Sequence, residues 1–154
     1  MARSTRPRRN RLVREAPEAG YQAAPEQGLI GVLYDSDVII EILRGRTRIV
    51  ERANALEGGG VPTYCTAVAV AEIHARIRPG EEPLTEAFFE ARGEVVLDGG
   101  VGRRAGAYLA RYAKSHGVEI ADALVAAAAA TSGLRLWTLN RKHYPMSDVG
   151  FYET

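Results

Sequence analysis

The stretch LYDSDVIIEILRG, residues 33–45, ends an apolar run in two carboxylates, Asp35 and Asp37, just where apolar residues take up helical spacing. Three more oxygen-bearing side chains stand in comparable settings. Glu72 is one acid inside the otherwise apolar VAVAEI, Asp122 lies in the first turn of an Ala-rich segment, and Asn140 follows the apolar LWTL. Each has an ordinary explanation by itself. Asp35 suits a helix cap, and Asp37 and Asp122 suit first-turn acids favoured by the helix dipole. Glu72 suits a solvated helix position and Asn140 a turn. Gathered in one cleft, the same groups do more. Carboxylates that share a site repel one another, which raises their pKa values unless a cation neutralises them. Oxygen donors suit Mg²⁺ or Mn²⁺. Such an ion can activate water and offset charge on a phosphodiester in its transition state.

The elements that must position these groups alternate between strand and helix. Residues 29–34 read as a buried strand. Ser36 is expected to cap a helix carrying Val38, Ile39, Ile42 and Leu43 and ended by Gly45. Residues 47–56 form a second helix. Residues 61–64 form a strand, and Thr66 caps a helix that runs to Ile77, before Pro79-Gly80. A short helix over 84–92, a strand over 95–97, an amphipathic helix over 102–116 and an Ala-rich helix over 120–131 follow. A strand over 134–139 and a last one over 149–152 complete the pattern. This is an α/β fold with a parallel sheet covered on both faces. In such sheets ligands gather outside the carboxyl ends of the strands, where Asp35 and Asn140 fall.

Composition bounds the rest. The chain has 154 residues, enough for one domain with a sizeable core. One cysteine, Cys65, excludes an internal disulfide framework and fits a reducing compartment. No apolar run approaches the ~20 residues that span a bilayer, so a cytoplasmic protein without a membrane partner is expected. The net charge of +1 hides an asymmetry. Residues 1–14 hold six arginines and no acid, so the other 140 hold 14 basic residues against 19 acidic ones, a net of −5. Residues 1–28 lack periodicity and carry three prolines, which predicts a basic, disordered tail before a domain over 29–154. Cys65 and Trp137 are expected in the core, His74 and His116 at the surface or a helix end, and His143 in a turn near the acids with a structural role.

These motifs resemble a known family. LYDSDVIIEILRG is similar to the opening motif of PIN-domain proteins, in which a strand ends in Asp and a helix follows. TAVAVAEI resembles their second motif, which supplies a Glu from a helix. GVEIADALVAAAAATSGLRLWTLNRKHYP resembles the third and fourth together: Asp-Ala opening an Ala-rich helix, a strand, Thr-x-Asn, and an aromatic-Pro ending. The pattern covers roughly residues 29–152 and resembles VapC-type toxins of toxin–antitoxin pairs. The resemblance implies a PIN-like three-layer sandwich, with a central parallel sheet of four to five strands and helices on both faces. It also implies a Mg²⁺- or Mn²⁺-dependent endoribonuclease that cleaves RNA through metal-activated water, leaving a 5′-phosphate and a 3′-hydroxyl.

Carried over by position, Asp35, Glu72 and Asp122 are the metal ligands. Asn140 takes a fourth place as a neutral ligand or water-positioner. Asp37 adds an outer contact, and Thr138 a hydroxyl near a ligand carboxylate. Arg141 and Lys142 either meet RNA phosphate or form a solvated turn. The implied partners are an RNA substrate, a VapB-like antitoxin lying in a groove near the acids, and a second copy of the chain in a homodimer. The long basic N-terminus departs from the family. Either its arginines contact RNA phosphates, or the start codon lies further along.

Two other readings compete. DSD resembles the Asp-x-Asp nucleophile motif of haloacid-dehalogenase-like phosphatases, but the only lysines are Lys114 and Lys142 and no Asp-Asp pair follows. A catalytically inactive PIN-like module that binds RNA or protein is the second alternative, kept open by the neutral Asn140.

Overall fold

The computed structural model of the chain describes residues 13–14 and 29–153. The rest of residues 1–28 lies outside the described residues; of the expected disordered tail only Val13 and Arg14 are described, and they are in a strand. Val13–Arg14 (β1) pairs antiparallel with Gly93–Val95 (β4). Four parallel strands make up the rest of the sheet: β4, Thr63–Thr66 (β3), Val32–Tyr34 (β2) and Arg135–Trp137 (β5). The order is β1-β4-β3-β2-β5, so the first parallel strand is central. The strand expected over 149–152 is a single parallel bridge, Leu136 to Phe151, at the outer edge.

Side-chain alternation explains the layers. Val32 and Tyr34 point to one face, with Cys65 and Trp137, and pack against Ser36–Leu43 (α1), Thr47–Gly58 (α2), Ala67–His74 (α3) and Glu82–Glu90 (α4). Leu33, Val95 and Leu136 point to the other, under Gly99–His116 (α5) and Ile120–Ser132 (α6). Ala123 and Ala126 to Ala129 are fully buried. Their small side chains let α6 lie close on the sheet and against α5. The expected three-layer sandwich with a parallel sheet covered on both faces is what the chain forms.

Several boundaries differ from the sequence reading. β4 comes two residues earlier than expected, and α5 begins at Gly99 rather than Gly102 because Asp98 caps it, accepting from the Val101 N–H at 3.0 Å. α3 ends at His74, three residues short of Ile77. Gly45 does end α1, at a φ of 73° that favours glycine.

Candidate active site

Two helices begin where strands end, α1 after β2 and α3 after β3, while α6 follows α5 through a short loop, and together they set the site. Asp35 follows β2 directly. Its N–H still donates to the Trp137 carbonyl of β5 at 3.0 Å, while its own carbonyl accepts the first helical bond of α1 from Ile39 at 3.2 Å. Asp35 is therefore the N-cap, and Ser36, expected in that role, is the first helical residue. The cap is also held by its side chain, since Asp35 Oδ1 accepts from the Ser36 N–H at 2.8 Å. Thr66, at the end of β3, caps α3 as expected by accepting from the Ala69 N–H at 3.3 Å. That start places Val68 and Glu72, one turn apart, on the same side of α3. Asp122 sits in the first turn of α6 and accepts from the Glu119 N–H at 3.2 Å.

These acids meet in one cleft of about 310 Å³. Asp35, Asp37, Glu72, Asp122 and Asn140 line it, together with Ser36, Val68, Glu119, His143 and Tyr144 among others. Segments that lie 37, 87 and 105 residues beyond Asp35 in sequence thus share one wall with it at the carboxyl edge of the parallel strands. Thr138 lies behind the wall. Its hydroxyl donates to Asp37 Oδ2 at 3.2 Å and accepts from the Asn140 N–H at 3.1 Å. The Leu139 N–H adds a second bond to Asp37 Oδ2 at 2.9 Å. Asp37 therefore fastens the exit of β5 to the start of α1.

The electrostatics follow from burial and crowding. Asp37 is pushed up to about 6, first by burial and then by the charge of Asp35, against the pull of its bonds from Leu139 and Thr138. Its Oδ1 is buried with no hydrogen-bond partner among the described residues. Asp122 is also raised, chiefly by burial, with Asp35 adding to the effect and the Glu119 N–H and His143 opposing it.

His143, read from the sequence as structural, and Tyr144, given no role of its own there, both line the cleft. His143 ends the 3₁₀ turn Arg141–His143. Its Nε2 lies 3.0 Å from the Asn140 amide nitrogen, and its Nδ1 lies 3.5 Å from Asp122 Oδ1. With the amide as donor, Nε2 accepts and Nδ1 carries the proton toward Asp122, an electrostatic contact too long for a good hydrogen bond. Tyr144 is buried, and its hydroxyl donates to Asp35 Oδ2 at 2.6 Å. The signal for it was the aromatic-Pro ending, in which a hydroxyl accompanies the ring. Arg141 and Lys142 are absent from the cleft wall; Arg141 pairs with Glu153 at 3.0 Å and lies over the Phe151 ring. Cys65 and Trp137 are in the core, and His74 and His116 are exposed, as expected.

Asp35, Glu72, Asp122 and Asn140 crowd oxygen donors onto the cleft wall, which suits a hard divalent cation, and the His143 imidazole is the one nitrogen ring beside them. Among the described residues, no three His, Cys, Asp or Glu side chains close on one point as a metal cluster. The acids line a wider opening, in which a divalent cation would keep several waters between itself and the carboxylates. Such a cleft can hold a cation beside an anionic substrate.

Residues 32–150 match the sequence model of the family described as PIN domain. The chain belongs to the PIN-domain family. This PIN domain is 30% identical over 115 residues to Ribonuclease VapC19 of Mycobacterium tuberculosis, covering 74% of this chain and 92% of that protein. It is 33% identical over 121 residues to Ribonuclease VapC10 of the same organism, covering 75% and 86%. Among solved structures, FitAcB from Neisseria gonorrhoeae superposes with a TM-score of 0.60 at 28% identity, covering 79% of this chain and 96% of that one. VapBC2 from Rickettsia felis, bound to a DNA fragment from its promoter, superposes with a TM-score of 0.68 at 11% identity over 79% and 96%. That last likeness is one of fold.

Proposed function

We propose that this PIN domain is an endoribonuclease, the toxin of a toxin–antitoxin pair, and that it uses Mg²⁺ or Mn²⁺. The observation that carries the reading is the cleft itself. Asp35, Glu72 and Asp122, from three separate segments, line one opening at the carboxyl edge of the sheet, in a chain whose relatives are named ribonucleases.

Asp35, Glu72 and Asp122 would hold the cation, with Asn140 as a neutral fourth donor. When bound, the cation supplies Lewis acidity, lowering the pKa of water and offsetting charge on the phosphodiester. The chain's own residues set the stage. Ser36 and Tyr144 orient Asp35. Thr138 and Asp37 lock the segment after β5 against α1. Asn140 orients the His143 ring toward Asp122. Arg141 and Lys142, in the turn between the cleft residues Asn140 and His143, would meet flanking phosphates once Arg141 leaves Glu153.

A VapB-like antitoxin as partner is supported by structural neighbours that are VapBC complexes. The chain would act in the cytoplasm, as a homodimer. Among the described residues no helix is long and apolar enough to cross a membrane.

The test is cleavage of a mixed RNA pool by antitoxin-free protein with Mg²⁺, with Mn²⁺ and with EDTA, beside Asp35→Asn. Metal-dependent cutting that the variant lacks is the expected result. Asn140, turned toward His143 rather than offering a fourth charge, is the observation that favours a non-cleaving module. Folded protein that binds RNA and leaves it intact in saturating Mn²⁺ would establish that second reading.

A further inference from the structure

Tyr144 is a buried polar group to which the family motifs give no task beyond its ring. It follows the turn Arg141–His143, its residue is 5% exposed, and its ring meets Phe151 at 64° with centroids 6.5 Å apart. Packing of that kind fixes the ring, so the hydroxyl has one direction available. It lines the cleft and donates to Asp35 Oδ2 at 2.6 Å, the short distance of a donor on a charged carboxylate. The other oxygen of Asp35 accepts from the Ser36 N–H at 2.8 Å.

The carboxylate is thus held at both ends. Rotation about its Cβ–Cγ bond would break one bond or both, while each oxygen keeps a lone pair for a further partner. The hydroxyl stays protonated, since burial first and the Asp35 charge second push it far above the ordinary tyrosine range. It is a donor here and not a base. A phenylalanine would fill the same ring volume, so packing alone does not account for the hydroxyl. A buried hydroxyl is costly unless it is bonded, and its bond goes to Asp35.

We propose that Tyr144 is a positioning residue whose hydroxyl sets the pose in which Asp35 meets a divalent cation. The proposal rests on the metal-dependent reading above. Groups that hydrogen-bond a metal ligand typically change metal affinity by about 10- to 100-fold when removed. Tyr144→Phe deletes the hydroxyl and keeps the ring.

The experiment titrates wild type, Tyr144→Phe and Asp35→Asn with MnCl₂ by calorimetry, without RNA, and records melting in EDTA. The expected result is Mn²⁺ binding by wild type, weakened about 10-fold in Tyr144→Phe and lost in Asp35→Asn, with Tyr144→Phe melting as wild type does. Cleavage by Tyr144→Phe should fall at limiting Mn²⁺ and recover at saturation. Equal Mn²⁺ affinity in wild type and Tyr144→Phe overturns the role of Tyr144 and leaves the nuclease reading standing. Wild type that binds no Mn²⁺ overturns both. If Tyr144→Phe fails to fold, the wild-type hydroxyl proton decides the matter by NMR: a resonance that shifts on adding Mg²⁺ supports the proposal, and one that does not move overturns it.

Discussion

Two tyrosine–carboxylate contacts in this molecule differ in what surrounds them. On the sheet face that carries α1 to α4, the Tyr34 and Thr63 hydroxyls both donate to Glu57 Oε1 at 3.1 Å. There Arg92 closes the knot, 2.8 Å from Glu57 and stacked 3.7 Å over the Phe88 ring. In the cleft, Tyr144 donates to Asp35, but no arginine or lysine follows. Among the described residues, His143 is the sole basic side chain in ion-pair contact with a cleft acid, at 3.5 Å from Asp122. A half-buried carboxylate with structural work is neutralised within the fold. The cleft acids are left with excess negative charge, which makes sense for groups that await a cation from outside.

The largest effect is expected in the cleft. Asp35→Asn or Asp122→Asn should lower metal-dependent RNA cleavage by more than about 100-fold, because even groups that only support a ligand cost up to that much. Melting in EDTA should stay level or rise, since one of several mutually repelling charges is gone. Gel-resolved cleavage and differential scanning fluorimetry on the same preparations check both halves. Retained cleavage would sink the site assignment. A marked loss of stability would mean the carboxylate is structural, and the contrast with Glu57 would collapse.

The opposite sign is expected at the knot. Arg92→Ala leaves the Glu57 charge without its partner and removes the cation over Phe88. Destabilisation should be about 2 kcal/mol, at the low end for such a pair because Glu57 keeps some contact with solvent. That corresponds to roughly 4–8 °C in melting temperature. The variant's cleavage rate at a temperature where it is folded should match wild type. Arg92→Ala that melts as wild type does would show that Glu57 needs no compensation.

The cleft was more legible than the groups that hold it together, for a physical reason. An Asp that stops a buried strand and an acid inside an apolar helix violate local pattern, and parallel βα topology dictates that they share one edge. Asp35, Glu72, Asp122 and Asn140 could be placed from those rules together with the motif resemblance. Tyr144 could not. Its bond to Asp35 joins residues 109 apart in sequence, and no spacing in NRKHYP announces that contact. His143 likewise depends on a contact to α6 that no spacing announces. Element ends were lost more locally. Asp98 caps α5 through two glycines that fall before the expected helix start, and Gly93 opens β4 where no element was assigned. Asp35 combines strand end, cap and cleft wall in one residue; the sequence offered both it and Ser36 as the cap, and Asp35 takes the role.

The smallest and sharpest test concerns Asp37, the cleft acid fastened to the chain by Thr138 and Leu139. Its ordinary value is 3.8, and the folded value is pushed up to about 6 by burial and by Asp35. Between those values the folded state binds more protons than the unfolded chain, so stability falls as pH rises through that window and the deficit is complete above it. Asp37→Asn keeps an acceptor oxygen for Thr138 and Leu139 and removes the charge. In the metal-free protein it should raise stability near neutral pH by about 1 kcal/mol, a figure reduced from the full shift because Asp37 keeps some solvent contact. Near the ordinary carboxylate value the gain should vanish. Urea unfolding of both proteins in EDTA, at about pH 4 and at about pH 7, reads the difference directly. A gap that widens with pH means that the fold holds Asp37 at a cost, as a site awaiting a cation would. A gap that is flat across the window means that Asp37 ionises as freely as a surface acid, and the cleft then differs from the Glu57 knot in geometry alone.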